Sequence, residues 1–265
     1  MRFLSIVLLV VCSLGLSATA LDSTLSTSSD TSYTKWTATH IFEGYNNGVS
    51  IVPAFSLGRP AVMYLGRFSQ KNWSMEPEVR MSYDGQPWSM ILWARYTLPE
   101  LGEWKCTIAP HVAMLYAPVE EVIDGTVMQS FSSNRYTALR GTAFRSLGSG
   151  FGLSTYGLAA IGVDKGASTN PVVLTGVVGV TPNIEVGPIT LDLRPQLYYL
   201  NMRGPSGVFY AVNYTIPIQK DWSIIGIVTQ PIAKNDGLEV SSFIWNIGIS
   251  YAVKHQHQRV EVPQL

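Results

Sequence analysis

"EWKCTIAPHVAMLY", residues 103–116, alternates with a period of two. Glu103, Lys105, Thr107 and His111 share one face; Trp104, Cys106, Ile108, Val112, Met114 and Tyr116 share the other. A helix, with its period of 3.6, would scatter these residues, whereas a strand sorts them onto two sides. The apolar side is long, and both its ends are aromatic. Trp104 and Tyr116 stand twelve residues apart. At ~3.3 Å per residue and a tilt of about 40°, that separation covers roughly 30 Å, the hydrocarbon thickness of a bilayer.

The same alternation recurs along the chain. In 78–83, Glu78, Arg80 and Ser82 oppose Val79, Met81 and Tyr83. In 192–199, Asp192, Arg194, Gln196 and Tyr198 oppose Leu193, Leu197 and Tyr199, with Pro195 on the apolar side. A proline there lacks a ladder N–H and predicts a bulge or weakened pairing. Residues 207–218 and 240–253 repeat the pattern. Asp84-Gly85 marks a hairpin turn before the strand from Trp88 to Leu98. Further strands are expected over 60–68, 135–146, 150–162, 171–181 and 222–230, with one or two more in 36–57. Residues 117–134 read as an exposed loop that ends at Ser132-Ser133-Asn134.

This chain is all-β and antiparallel. Two arrangements compete: a soluble sandwich, with one face on a core, and a transmembrane barrel, with one face on lipid and the other on a lumen. The long apolar faces, their aromatic ends and the small residues opposite them favour the barrel. Single-chain barrels of this kind use even strand numbers, which sets the expectation at 12 strands, with 10 as the alternative.

Composition agrees. Only 14 % of residues are charged, against about 25 % in soluble domains. The formal net charge is zero, so nothing draws the chain to nucleic acid. The N-terminus reads as a cleaved signal peptide over 1–20. Arg2 is followed by the apolar run 3–16 and by Ala18-Thr19-Ala20, a small-x-small cleavage site. Residues 21–34 read as a flexible leader, 35–253 as the barrel and 254–265 as a polar C-terminal tail. Cleavage at Ala20 leaves Cys106 as the one cysteine, so no internal disulfide forms.

Catalytic and metal motifs are not found. His255 and His257 lie in the tail as H-x-H, and His40 and His111 are isolated in sequence. No phosphate loop, dinucleotide fingerprint or CxxC is present. The expectation is no catalytic residue, no metal and no cofactor. Gly148-Ser149-Gly150-Phe151-Gly152 reads as a tight turn with a kink facing the lumen. The informative chemistry is the ionisable set on the polar faces. A charge facing lipid at mid-membrane costs ~2–4 kcal/mol, so Glu78, Arg80, Arg95, Glu103, Lys105, Asp192 and Arg194 are expected to line the lumen. Trp104, Tyr116, Tyr199 and Tyr251 are expected at the membrane interfaces.

A signal segment followed by strands of about ten residues with aromatic ends, over 36–253, resembles the outer-membrane β-barrel proteins of Gram-negative bacteria. It looks most like the 12-stranded channels, such as the nucleoside-channel type. The chain differs in ending on a 12-residue tail after Tyr251-Ala-Val. The resemblance implies a lipid bilayer and the outer-membrane assembly machinery as partners, and small polar solutes as cargo. It leaves the oligomeric state unknown. The expected function is a narrow passive channel; a non-conducting surface barrel and a lipid-modifying barrel enzyme are the alternatives. The enzyme requires His40 or His111 within ~3 Å of a serine or carboxylate.

Overall fold

In the computed structural model, which describes residues 33–123, 126–165 and 170–260, strand follows strand in antiparallel pairing until the last meets the first. The strands are β1 (Tyr33–Tyr45), β2 (Ala61–Gln70), β3 (Trp73–Ser82), β4 (Pro87–Thr97), β5 (Trp104–Ile123), β6 (Thr126–Gly148) and β7 (Phe151–Gly162). There follow β8 (Val172–Val180), β9 (Ile184–Val186), β10 (Ile189–Met202), β11 (Ser206–Gln219), β12 (Trp222–Lys234) and β13 (Ile244–Val260). β10 pairs with both β8 and β11, and β13 neighbours β1, so the sheet closes. The short β9 pairs only with the start of β10 and forms no stave of its own. The result is a closed 12-strand antiparallel β-barrel. Closure gives each strand two neighbours and leaves no edge.

Register sorts the side chains as the alternation requires. Opposite pairs such as Ala61↔Ser82, Arg80↔Ser89, His111↔Ala138, Thr142↔Tyr156 and Tyr198↔Phe209 share the interior face. Interior residues are buried: Ser82, Ser89, Tyr198, Leu200, Phe209 and Thr229 are 2 % exposed or less. The outer face carries the exposed large hydrophobics, among them Met75, Leu92, Val112, Leu139, Val177, Leu197, Ile247 and Ile249. This apolar band surrounds a core of mixed polarity, the reverse of a soluble barrel.

Several boundaries differ from the sequence reading. The segment 117–134 is no loop. It is the far part of the β5–β6 hairpin, paired from Tyr116↔Ser133 to Ile123↔Thr126. β4 leaves β5 at Ser89↔Leu115, and β7 reaches β6 only at Tyr136↔Gly162, so 117–134 pairs with itself alone. With no wall on either side, no face of it has to be apolar, and the alternation that marks the other strands is lost. The C-terminal residues 254–260, read as tail, continue β13 to Val260. His255 stacks edge-on to His40 of β1, with ring centroids 6.1 Å apart. At the other terminus, β1 begins at Tyr33, two residues inside the expected leader. The expected signal segment and cleavage site lie outside the described residues.

Pro195 makes no bulge with β11, where Pro195↔Val212 sits in unbroken register. The β8 ladder stops one residue short of it, at Gln196↔Val178, and Gly179 leaves room for the ring. The weakened pairing falls on that one side, where the missing N–H belongs. Ser149 and Gly150 both take positive φ, 50° and 81°, in the two-residue turn between β6 and β7. Such turns match the twist of the strands they join.

The barrel ends differ. At the end bearing the termini, two-residue turns join β2 to β3, β6 to β7 and β11 to β12. The opposite end carries the β5–β6 hairpin and the longer segments 46–60 and 235–243.

Candidate functional site: a charged interior wall and a folded-in loop

The interior has two unlike halves. β1 to β6 carry most of its charges. Glu78 pairs with Arg80 at 2.6 Å, and Glu76 accepts from Arg95 at 2.9 Å and from Arg67 at 3.3 Å. Arg95 binds Glu76 through both Nε and Nη2, the two-pronged geometry that favours arginine over lysine. Trp93 Nε1 donates to the other Glu78 oxygen at 2.9 Å, so that carboxylate serves two donors. Glu43 accepts from the Tyr45 hydroxyl at 2.9 Å. These groups are part-buried, and pairing offsets the desolvation that burial costs.

Beyond Trp93 the interior positions run in sequence around the wall. The Trp93 ring lies 4.0 Å from the His111 ring, centroid to centroid. Arg140 sits diagonally from His111, across the pairs Ala109↔Arg140 and His111↔Ala138. Its guanidinium stands 5.2 Å over the Tyr156 ring. Tyr156 donates to Gln196 at 3.4 Å. A tier of polar and aromatic groups thus spans β3 to β10.

On β7 to β11 the interior away from the terminal mouth is largely apolar. Tyr156, Val172, Leu174, Tyr198, Leu200, Phe209 and Ala211 form one packed cluster. Tyr198 and Phe209 stack with centroids 5.1 Å apart. Two end segments join it from above. Val52, with Ile51 and Phe55, comes from 46–60, and Leu238, with Val240, from 235–243. Within 46–60, a 3₁₀ turn over Pro53–Phe55 points into the barrel, and Pro53 is buried. It is fastened by Trp88, which donates from Nε1 to the Phe55 carbonyl at 2.9 Å.

Trp88 reaches there because β4 has one residue more than β3 at this point. Arg80 faces Ser89, the next residue Met81 faces Pro87, and Trp88 is the residue between. Such a bulge re-aims its side chain. Trp88 turns inward, 4 % exposed, with Arg80 5.4 Å over its ring. Nothing in the alternation of 88–98 marks this, because the bulge breaks the period that would reveal it.

The expected lumen residues divide. Glu78, Arg80 and Arg95 lie on the interior face and within the ion-paired wall. Lys105 has interior register opposite Phe144, one residue from the end of β5. Asp192 and Arg194 share the interior face with Gln196, near the start of β10. They pair with each other at 3.0 Å, and Arg194 is 56 % exposed, so they stand at the mouth on the terminal side. Glu103 does not line the interior. It precedes β5, is 71 % exposed, and pairs with Arg145 beside the Trp104 ring. The alternation had placed it inward, but the strand starts one residue later. Arg140 and His111 are central to the tier; alternation put both on polar faces, though neither was among the seven residues expected to line the lumen. Their alternation held the signal, since each shares a strand face with Thr107 or Thr142.

The four expected interface aromatics all have outward register. Trp104 and Tyr251 lie toward the terminal end, where Trp73–Tyr96 and Trp222–Tyr251 also pair at 4.6 Å. Tyr116 and Tyr199 lie toward the other end. Neither His40 nor His111 is hydrogen-bonded to a serine or carboxylate among the described residues. His40 faces outward, with Nδ1 2.9 Å from the Tyr64 hydroxyl. His111 Nδ1 is buried without a hydrogen-bond partner among the described residues. No group of three metal-ligating side chains occurs among the described residues.

No protein-family model matches the chain, and no curated protein matches it in sequence. Solved structures do. The chain is similar to the KdgM porin, at 10 % identity and a TM-score of 0.50 over 80 % of this chain and 98 % of that one. It is also similar to an outer-membrane channel from Pseudomonas putida F1, at 9 % identity and a TM-score of 0.44 over 89 % of this chain and 100 % of that one. At such identities the likeness is one of fold: a closed 12-strand barrel built as the outer-membrane β-barrel channels are.

Proposed function

We propose that this chain is exported by a cleaved signal peptide, inserted into a Gram-negative outer membrane, and passes small polar solutes passively along the charged side of its interior. Insertion falls to the assembly machinery of that membrane. The observation that carries this reading is the interior wall of ion-paired Glu76, Glu78, Arg80 and Arg95, set inside an apolar outer band. A barrel made only to be stable could be filled with packed apolar side chains at lower desolvation cost. Charges of both signs instead give a wetted path for polar solutes. The short turns at the terminal end and longer segments at the other fit a periplasmic and an external side.

A second reading has its own observation. Tyr198, Leu200 and Phe209 are 0–1 % exposed, and the folded-in 46–60 segment packs on them. A barrel filled across its whole section would be a non-conducting surface protein. Reconstitution in a planar bilayer separates the two. The channel reading expects discrete conductance steps in potassium chloride. Their absence, with the barrel shown to be folded and inserted, leaves the structural reading.

A further inference from the structure

The interior wall holds four arginines on β2 to β6, and three are satisfied by carboxylates. Arg80 is on Glu78, and Arg67 and Arg95 share Glu76. Arg140 has no ion pair among the described residues. It is held only by the face of Tyr156, and its Nε is buried without a hydrogen-bond partner. His111, its diagonal neighbour, leaves Nδ1 buried and unpartnered as well. Buried polar groups are nearly always paired; Arg80 Nε is unpartnered too, but that guanidinium has Glu78, whereas neither Arg140 nor His111 has a carboxylate among the described residues. A guanidinium and an imidazole N–H together are the donor set of a carboxylate site.

We propose that Arg140 and His111 form a subsite for a small organic monocarboxylate, a reading that rests on the proposed channel and names its cargo. The carboxylate bridges the Arg140 fork and the His111 ring nitrogen. The Trp93 ring beside His111 and the Tyr156 ring beside Arg140 offer apolar surface to its short tail, which inorganic phosphate lacks. Glu43, Glu76 and Glu78 face Arg67, Arg80, Arg95 and Arg140 on this wall, so among these groups one cationic charge is unmatched and an anion is favoured. An uncharged solute, which leaves both donors unmet, is disfavoured.

The test uses the full-length protein in detergent, with butyrate as probe and inorganic phosphate as comparison, read by titration calorimetry. Wild type is expected to bind butyrate saturably and at least tenfold more tightly than phosphate. Arg140→Gln is expected to weaken butyrate at least tenfold. Arg140→Lys, which keeps the charge but loses the fork, weakens it by less. Arg135→Gln, at the barrel rim beside Asp164, leaves it unchanged. Folding of each variant is followed by the gel shift of unheated against heated barrel. If Arg140→Gln fails to fold, Arg140→Lys and His111→Ala carry the test, each expected to lose affinity. Butyrate binding that is absent, or equal in wild type and these variants, overturns the subsite. Binding that depends on Arg140 in a barrel without conductance upholds the subsite and removes the channel. Conductance without such binding does the reverse.

Discussion

Arg135 and Asp164 show how a single pair acts at the rim, away from the interior wall. The Asp164 carboxylate accepts from the Arg135 backbone N–H and from its side-chain Nε, each at 2.6 Å. The backbone hydrogen bond first, then the side-chain bond, hold this carboxyl below the usual carboxylate range. A carboxylate of depressed pKa contributes stability above its unfolded value and loses it as pH falls through its folded value. The clasp is therefore complete at pH 7 and opens only in acid. Asp164→Ala removes it at every pH. At neutral pH the variant should exchange the Arg135 amide faster and admit trypsin more readily after Lys165. Wild type should approach the variant as pH drops through the depressed value. Hydrogen exchange with mass analysis checks both. The site is exposed, so global unfolding of the barrel should move little.

Strands are where sequence was most and least readable. The alternation on 78–83 and 103–116 located Glu78, Arg80 and Lys105 without a structure, because each strand there has one neighbour medium per face. It failed at Trp88, where a bulge shifts the period, and at Glu103, where one residue of strand start decides inside from outside. It failed again over 117–134, where neither face meets the barrel wall. That last failure makes a prediction. Among the described residues the hairpin beyond Tyr116↔Ser133 has strand pairing only with itself, so it contributes little to barrel closure. Replacing 118–131 with Asn-Gly supplies a turn that suits two antiparallel strands. The shortened chain should fold, insert and keep its heat-dependent gel shift, with a urea midpoint close to wild type. A chain that no longer closes would show the hairpin to be needed for assembly rather than appended to it.

At the scale of the whole barrel, the two unlike halves of the interior meet at segment 46–60. Its fold within the mouth depends on partners from β4, β7, β8, β10 and β11, far apart in sequence. No local pattern in 46–60 could have announced it. The segment is closed at its base by Gly48 N–H to Arg59 O and Leu57 N–H to Gly48 O, both 2.8 Å. What holds its tip inside is the apolar seat of Val52, 7 % exposed, and the Trp88 bond to Phe55. Burying a valine side chain contributes about 1.5–3 kcal/mol. An ionised carboxylate in the same apolar seat costs several kcal/mol. Val52→Asp should therefore turn the tip outward while leaving the closed sheet intact. Three readouts follow together: an unchanged heat-dependent gel shift, faster chymotrypsin cleavage after Phe55, and larger single-channel conductance than wild type. Val52→Ala, which keeps the seat apolar, should leave conductance near wild type. Faster cleavage with unchanged conductance would show that the segment leaves the mouth without having narrowed the path. The constriction would then lie deeper, at the tier of Trp93, His111, Arg140 and Tyr156.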